Sequence, residues 1–236
     1  MPSQVYKLLF LKRLYLQKMC SQCFCEPLNP SIHAHTPNTT QKLQTIGGGS
    51  LESSIATCAL CARAKNTNAR TSGFVAKDCK VCFITTNPLL ISTMRSAQAQ
   101  GAQIQSGAIN VPKFLQNKSA KMLQNMIERV FLLPLQSCSI LSLLKCPVEL
   151  EPTSEEISAC IPFLRAQLDS IKPEVIVIFG ALGGKYLLGE GESERGRILW
   201  HNARRFLLTY SLNEIMRNPS LKPQVMQHLL VAKGVL

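Results

Sequence analysis

A chain of 236 residues, 46% of them apolar, can bury its own core without the disulfides of a small secreted scaffold, although it carries ten cysteines. No window offers the ~18 uncharged apolar residues of a membrane-spanning helix. Lys7, Lys12, Arg13 and Lys18 interrupt the N-terminal apolar run that a signal peptide needs, so a reducing cytoplasm is expected. The net charge of +12 is unevenly placed: residues 1–127 balance at +11 and residues 128–236 at +1, which points to a polyanion such as nucleic acid as partner.

In chain order, residues 4–19 alternate apolar and cationic side chains at helical spacing, and 1–25 is expected to be an amphipathic basic helix. Residues 26–54 are rich in Pro, Asn, Thr, Ser and Gly, end in Gly47-Gly48-Gly49, and read as a linker or long loop. The domain proper then covers 55–236. Residues 80–85 form a buried strand stopped by Pro88, 117–131 a helix, and 139–144 a second strand. Thr153 and Glu156 make a capping box for a helix over about 154–171 that carries Cys160; Pro173 ends it. A nearly all-apolar strand at 174–179 turns at Gly180 into a helix near 181–188. A fourth strand at 206–210 and a final helix at 219–232 follow. The alternation predicts an α/β fold, a three-layer α/β/α sandwich with a central, mainly parallel, four-stranded sheet. No internal repeat is visible.

Four cysteines carry the strongest chemical signal. Cys58 and Cys61 form a C-x-x-C clamp, and Cys146 and Cys160 make a distant second pair. Such a set suits an iron–sulfur cluster or a zinc ion. Cys79 and Cys82 share the spacing but flank a strand, so they read as strand residues. Cys20, Cys23 and Cys25 have no partner pair and read as an unligated turn; Cys138 opens the second strand.

Lys145-Cys146, Pro152 to Leu164, Ile171 to Val177, Gly180-Ala181, Leu187-Leu188-Gly189, Arg195-Gly196-Arg197, Thr209-Tyr210 and Arg217-Asn218-Pro219 together resemble the uracil-DNA glycosylase superfamily. The branch resembled is the one with an iron–sulfur cluster (family 4-like). The resemblance covers about 137–230 and reaches back weakly to Cys58. It implies a 4Fe-4S cluster on Cys58, Cys61, Cys146 and Cys160, and a DNA partner whose damaged base is flipped out and released by hydrolysis.

The motifs that carry that chemistry are degenerate here. A glycine-rich acidic loop is replaced by Thr85-Thr86-Asn87-Pro88-Leu89, with Leu89 expected to obstruct a base. Ser142 stands for an asparagine that reads the base edge, and Ser211 for a histidine that stabilises the departing base. Thr86, Asn87, Ser142 and Ser211 are therefore the candidate catalytic positions, with Asn87 the remaining polar side chain on the pocket loop. The histidines at 33, 35, 201 and 228 are expected on the surface or in packing, and Phe114 near the place of a stacking ring. Arg195, Arg197, Arg217 and Lys118 are expected to bind nucleic acid. Two readings follow: a DNA-binding monomer with an iron–sulfur cluster that excises a damaged base, or an inactive DNA- or RNA-binding protein that keeps fold and cluster. A colourless structural zinc protein is the third.

Overall fold

The computed structural model describes residues 50–67, 69–91, 112–147, 151–189 and 191–236. The chain divides into two units, 1–46 and 47–236, and every described residue belongs to the second. The expected helix over 4–19, Cys20, Cys23, Cys25, His33 and His35 lie outside the described residues, as does the loop expected from 26 up to residue 49. The end of that loop differs from expectation, because Leu51–Ala56 is a helix (α1), started by the Ser50 hydroxyl accepting from Ser53 N–H.

Five strands build the sheet: β1 (Val81–Thr85), β2 (Cys138–Ser142), β3 (Val175–Phe179), β4 (Ile198–His201) and β5 (Arg204–Thr209). Their order is β2-β1-β3-β5-β4. The first four in that order are parallel, with Val81 beside Cys138 and Val175, and Ile176 beside Phe206. β1, β2 and β3 are buried along their whole length, as continuous apolar runs demand of strands covered on both faces.

The fifth strand was not expected. β4 is an antiparallel edge joined to β5 by Asn202-Ala203, both at positive φ (49° and 59°). Two left-handed residues make the tight hairpin turn that suits twisted strands. Alanine in place of the usual glycine hides that turn in the sequence.

Helices cover both faces. On one side Val81, Phe83, Ile140, Val177 and Leu207 pack against α3 (Lys118–Met126), α6 (Leu212–Arg217) and α7 (Lys222–Lys233), through residues such as Leu123, Ile215 and Leu229. On the other, Cys82, Ile84, Leu141, Ile176 and Leu208 pack against α4 (Ser154–Ser170) and α5 (Ala181–Leu188), through Ile157, Leu164, Leu168 and Leu187. Between α1 and β1 lies one short helix, α2 (Ala62–Lys65). The capping box of α4 forms as expected: Thr153 Oγ1 accepts from Glu156 N–H, and the Glu156 carboxylate accepts from Thr153 N–H. α3 runs on into a π-turn at Ile127–Phe131. α6 is not among the helices expected from the sequence. No helix among the described residues is long and apolar enough to cross a membrane.

Candidate functional site

The four cysteines of the resemblance come from three places that the fold brings together. Cys58 and Cys61 lie half-buried between α1 and α2, and Cys61 Sγ caps α2 by accepting the Ala64 N–H at 3.4 Å. Cys146 follows the end of β2, Cys160 lies within α4, and both are buried. Burial pushes the Cys146 thiol up to about 11, and like charge on Cys160, Cys61 and Cys58 adds to this, while Arg70 opposes it. Burial also raises Cys160, against the Lys145 N–H that its sulfur accepts and the Lys145 ammonium; Cys61 and Cys58 raise it further. Cys146 and Cys160 thus face the C-x-x-C loop. Among the described residues, no three His, Cys, Asp or Glu side chains close around a single point tightly enough to hold one metal ion.

Two arginines latch the C-x-x-C loop. Arg63 Nη2 meets Glu156 Oε2 at 2.6 Å, with both side chains almost wholly shielded. Arg70 donates to the carbonyls of Ala56 and Ala64, on either side of the cysteine pair. Glu156 is the same residue that completes the α4 cap, so the loop is tied to the helix that presents Cys160. The Arg63 guanidinium, the Thr153 N–H it accepts and its other partners hold the Glu156 carboxyl below its ordinary range. Lys145, buried beside Cys146, donates from Nζ to Ser142 O at 2.8 Å and to Gln167 Oε1 at 2.6 Å. Burial brings its ammonium down to about 7, against the opposing pull of Cys160 and Cys82. Sequence reasoning did not single out Arg63, Arg70, Lys145 or Gln167. The only signal for the first and third was their place beside Cys61 and Cys146.

The second candidate place is the carboxyl edge of the sheet, where open α/β folds bind ligands. Gly180, at φ +102°, leaves β3 so close to its neighbours that a Cβ there would lie 3.1 Å from Ser211 Cβ and 3.4 Å from Thr86 Oγ1. The ends of β1, β3 and β5 therefore meet at Thr86, Gly180 and Ser211. Ser142 ends β2 close by. Its hydroxyl and Asn87 Oδ1 are both buried without a hydrogen-bond partner among the described residues. Such orphaned groups are uncommon and call for an explanation. A shallow depression lies here, lined by Thr71, Gly73, Pro88, Leu89 and Ser142 among others. Leu89 lines it and is itself part of the buried core. The chain after Pro88 is pinned, with Leu115 N–H on Leu89 O and Ile91 N–H on Lys113 O, and Phe114 stands opposite Leu90.

Ser211 is engaged elsewhere. Its hydroxyl caps α6 by accepting the Glu214 N–H at 3.1 Å, and its own N–H donates to Glu214 Oε2 at 2.6 Å. Arg195 Nη2 holds the other oxygen of Glu214 at 3.1 Å and Glu192 at 3.2 Å, and its guanidinium lies 4.2 Å from the centre of the Tyr210 ring. Tyr210 stacks on His228, whose Nδ1 is 3.0 Å from Thr209 Oγ1. Burial, then Arg195, lowers the His228 pKa. Arg195 is thus almost enclosed and braces the β5–α6 turn from within. Arg197, 73% exposed at its side chain, has Glu194 at 3.8 Å as its one ion pair among the described residues. Lys118 and Arg217 are exposed at the start of α3 and the end of α6, two helices joined by Ser119 Oγ and Asn213 Oδ1 at 3.4 Å.

A family model described as the uracil DNA glycosylase superfamily matches residues 72–232. A Type-4 uracil-DNA glycosylase from Sulfurisphaera tokodaii is 29% identical over 107 residues, which is 44% of this chain and 49% of the relative. Another Type-4 uracil-DNA glycosylase, from Saccharolobus solfataricus, is 34% identical over 71 residues, 29% of this chain and 33% of the relative. The chain spans about half the length of the first of these curated relatives and a third of the second. The family match begins before β1 and ends within α7, so it takes in the whole sheet, both helical layers and the strand ends at Thr86, Ser142 and Ser211; on that extent the chain belongs to the uracil DNA glycosylase superfamily.

Proposed function

We propose that this chain is a DNA-binding protein of the glycosylase type, in which Cys58, Cys61, Cys146 and Cys160 hold a four-iron cluster and the carboxyl edge of the sheet receives a base flipped out of DNA. The observation that carries the second half is the pair of orphaned polar groups, Ser142 Oγ and Asn87 Oδ1, at the carboxyl ends of the neighbouring strands β2 and β1. A bound base edge or a held water would give both of them partners. The donor set supports the first half. Tetrahedral zinc needs all four sulfurs about 2.3 Å from one ion. Four thiols with no histidine or carboxylate among them make the all-sulfur set that a four-iron cluster takes. When bound, the cluster supplies a cross-brace between the C-x-x-C loop, the end of β2 and α4.

This chain's own residues then divide the work. Gly180 lets the β3 end approach the base closely. Asn87 orients water, Ser142 meets the base edge, and Lys118, Arg197 and Arg217 contact phosphate. Ser211 itself brings no positive charge to the departing base, and Arg195 is committed to Glu192 and Glu214, so excision of uracil is slow. Seven free thiols among the described residues suit a reducing cytoplasm, and we take the working form to be a monomer. The reciprocal cap at Ser211 favours a second reading, a nucleic-acid-binding protein without catalysis, since it commits that hydroxyl to structure.

The test is anaerobic purification followed by glycosylase assays on single- and double-stranded oligonucleotides with uracil or hypoxanthine. Base release that disappears in Asn87→Ala supports the first reading. Binding without release supports the second, and absence of both removes the proposal. Cys146→Ala should bleach the visible absorption and lower the melting temperature, because a lost ligand leaves metal binding and packing incomplete together.

A further inference from the structure

Lys145 is 2% exposed, and Gln167, which it meets, is equally enclosed. A buried ammonium is costly unless charge or hydrogen bonds compensate it. Here the acceptors are Ser142 O and Gln167 Oε1, with no carboxylate among its described partners. Gln167 is itself held, donating from Nε2 to Ser72 O at 2.5 Å. The backbone N–H of Lys145 also faces the thiol site, where it is donated to Cys160. Arg63 and Arg70 hold the C-x-x-C loop, whereas Lys145 joins the end of β2 to α4, the helix that carries Cys160. The carbonyl it holds belongs to Ser142, whose hydroxyl is one of the two orphaned groups.

We propose that Lys145 is the counter-cation of the cluster and the brace that ties it to the end of β2, so that filling the thiol site and fixing Ser142 at the base-facing edge are one event. This rests on the reading of the four thiols as a cluster site. Four thiolates and their irons bring negative charge beside a buried ammonium in a poorly screened interior, where such charges interact strongly. A nearby cation favours the more reduced, more negative cluster. Charge and hydrogen bonding around the sulfurs are among the protein's means of setting the potential. The ammonium also donates to Ser142 O, which holds the last residue of β2 in place.

The experiment compares wild type with Lys145→Met, Lys145→Gln and Lys145→Arg after anaerobic reconstitution. Iron and sulfide are counted, the midpoint potential is titrated by electron paramagnetic resonance, and hydrogen exchange is followed over residues 139–146. Lys145→Met should lower the midpoint potential and quicken exchange in that segment. It should also weaken cluster retention against a chelator by about 10–100-fold, the usual effect of removing an outer-shell partner. Lys145→Gln lacks the charge but keeps an N–H donor, so the potential should fall while exchange stays nearer wild type. Lys145→Arg should restore the potential. A loaded Lys145→Met with the wild-type potential overturns the proposal and leaves the cluster reading standing; should that variant fail to fold, Lys145→Gln decides on the same readout. Wild type that takes up neither iron nor sulfide overturns the cluster reading, and this proposal with it.

Discussion

At position 211 a serine hydroxyl caps α6, and a histidine placed there gives up that bond. Loss of an N-cap costs about 1 kcal/mol. The double variant Ser142→Asn with Ser211→His should therefore release uracil faster than wild type while unfolding at lower urea. Excision assays and urea melts read the two effects separately, and a double variant no faster than wild type would show that the base site lies elsewhere. The same residue scale separates what could be read from the chain alone. Cys58, Cys61, Cys146 and Cys160 stand out because sulfur spacing survives as a pattern in one dimension. Lys145 and Gln167 are 22 residues apart and meet only when α4 lies against β2. Arg195 looks like a phosphate contact in the sequence, because its carboxylate partners, Glu192 and Glu214, come from both sides of the β4–β5 hairpin.

β1, β2, β3 and β5 are apolar runs, so burial on both faces makes them legible. β4 is half-exposed along Ile198–His201 and turns through Asn202-Ala203, so neither its pattern nor its turn announces it. Ala203 at φ +59° carries the steric cost of a left-handed residue with a Cβ, about 1–2 kcal/mol. Ala203→Gly should recover part of this, less the backbone entropy that glycine adds to the unfolded chain. A rise in melting temperature checks it. The capping element of α4 predicts a pH effect. Glu156 is held below the ordinary carboxylate value of about 4.3, so its contribution to stability is present above that value and is lost as pH falls through the lower folded one. Melting temperatures measured from pH 7 to pH 3 should drop at the acid end, and Glu156→Gln should flatten that drop while lowering the plateau.

At the scale of the whole molecule, the proposed binding of DNA would draw on the excess of +12. Each phosphate neutralised by a lysine or arginine releases condensed counterions, so affinity should fall linearly on a log–log plot against salt. Arg197→Ala, Arg217→Ala and Lys118→Ala should each reduce that slope by about 0.9 on duplex DNA. Arg195→Ala should instead loosen the fold around Tyr210 and leave the slope near wild type. Filter binding at several salt concentrations, with melting curves alongside, distinguishes the two kinds of arginine.

The arginine latches on the C-x-x-C loop bear on the order of assembly. Arg63 and Arg70 fasten that loop to α4 and to its own flanking carbonyls by contacts that involve no metal. The ligand frame is therefore largely pre-formed, and closing it asks little further ordering of the chain. On the proposed cluster reading, such a protein would fold before iron and sulfide are delivered, in contrast to small zinc modules that are unfolded without their metal. The cell's supply of iron would then set how many copies are loaded, while the number of folded copies stays constant.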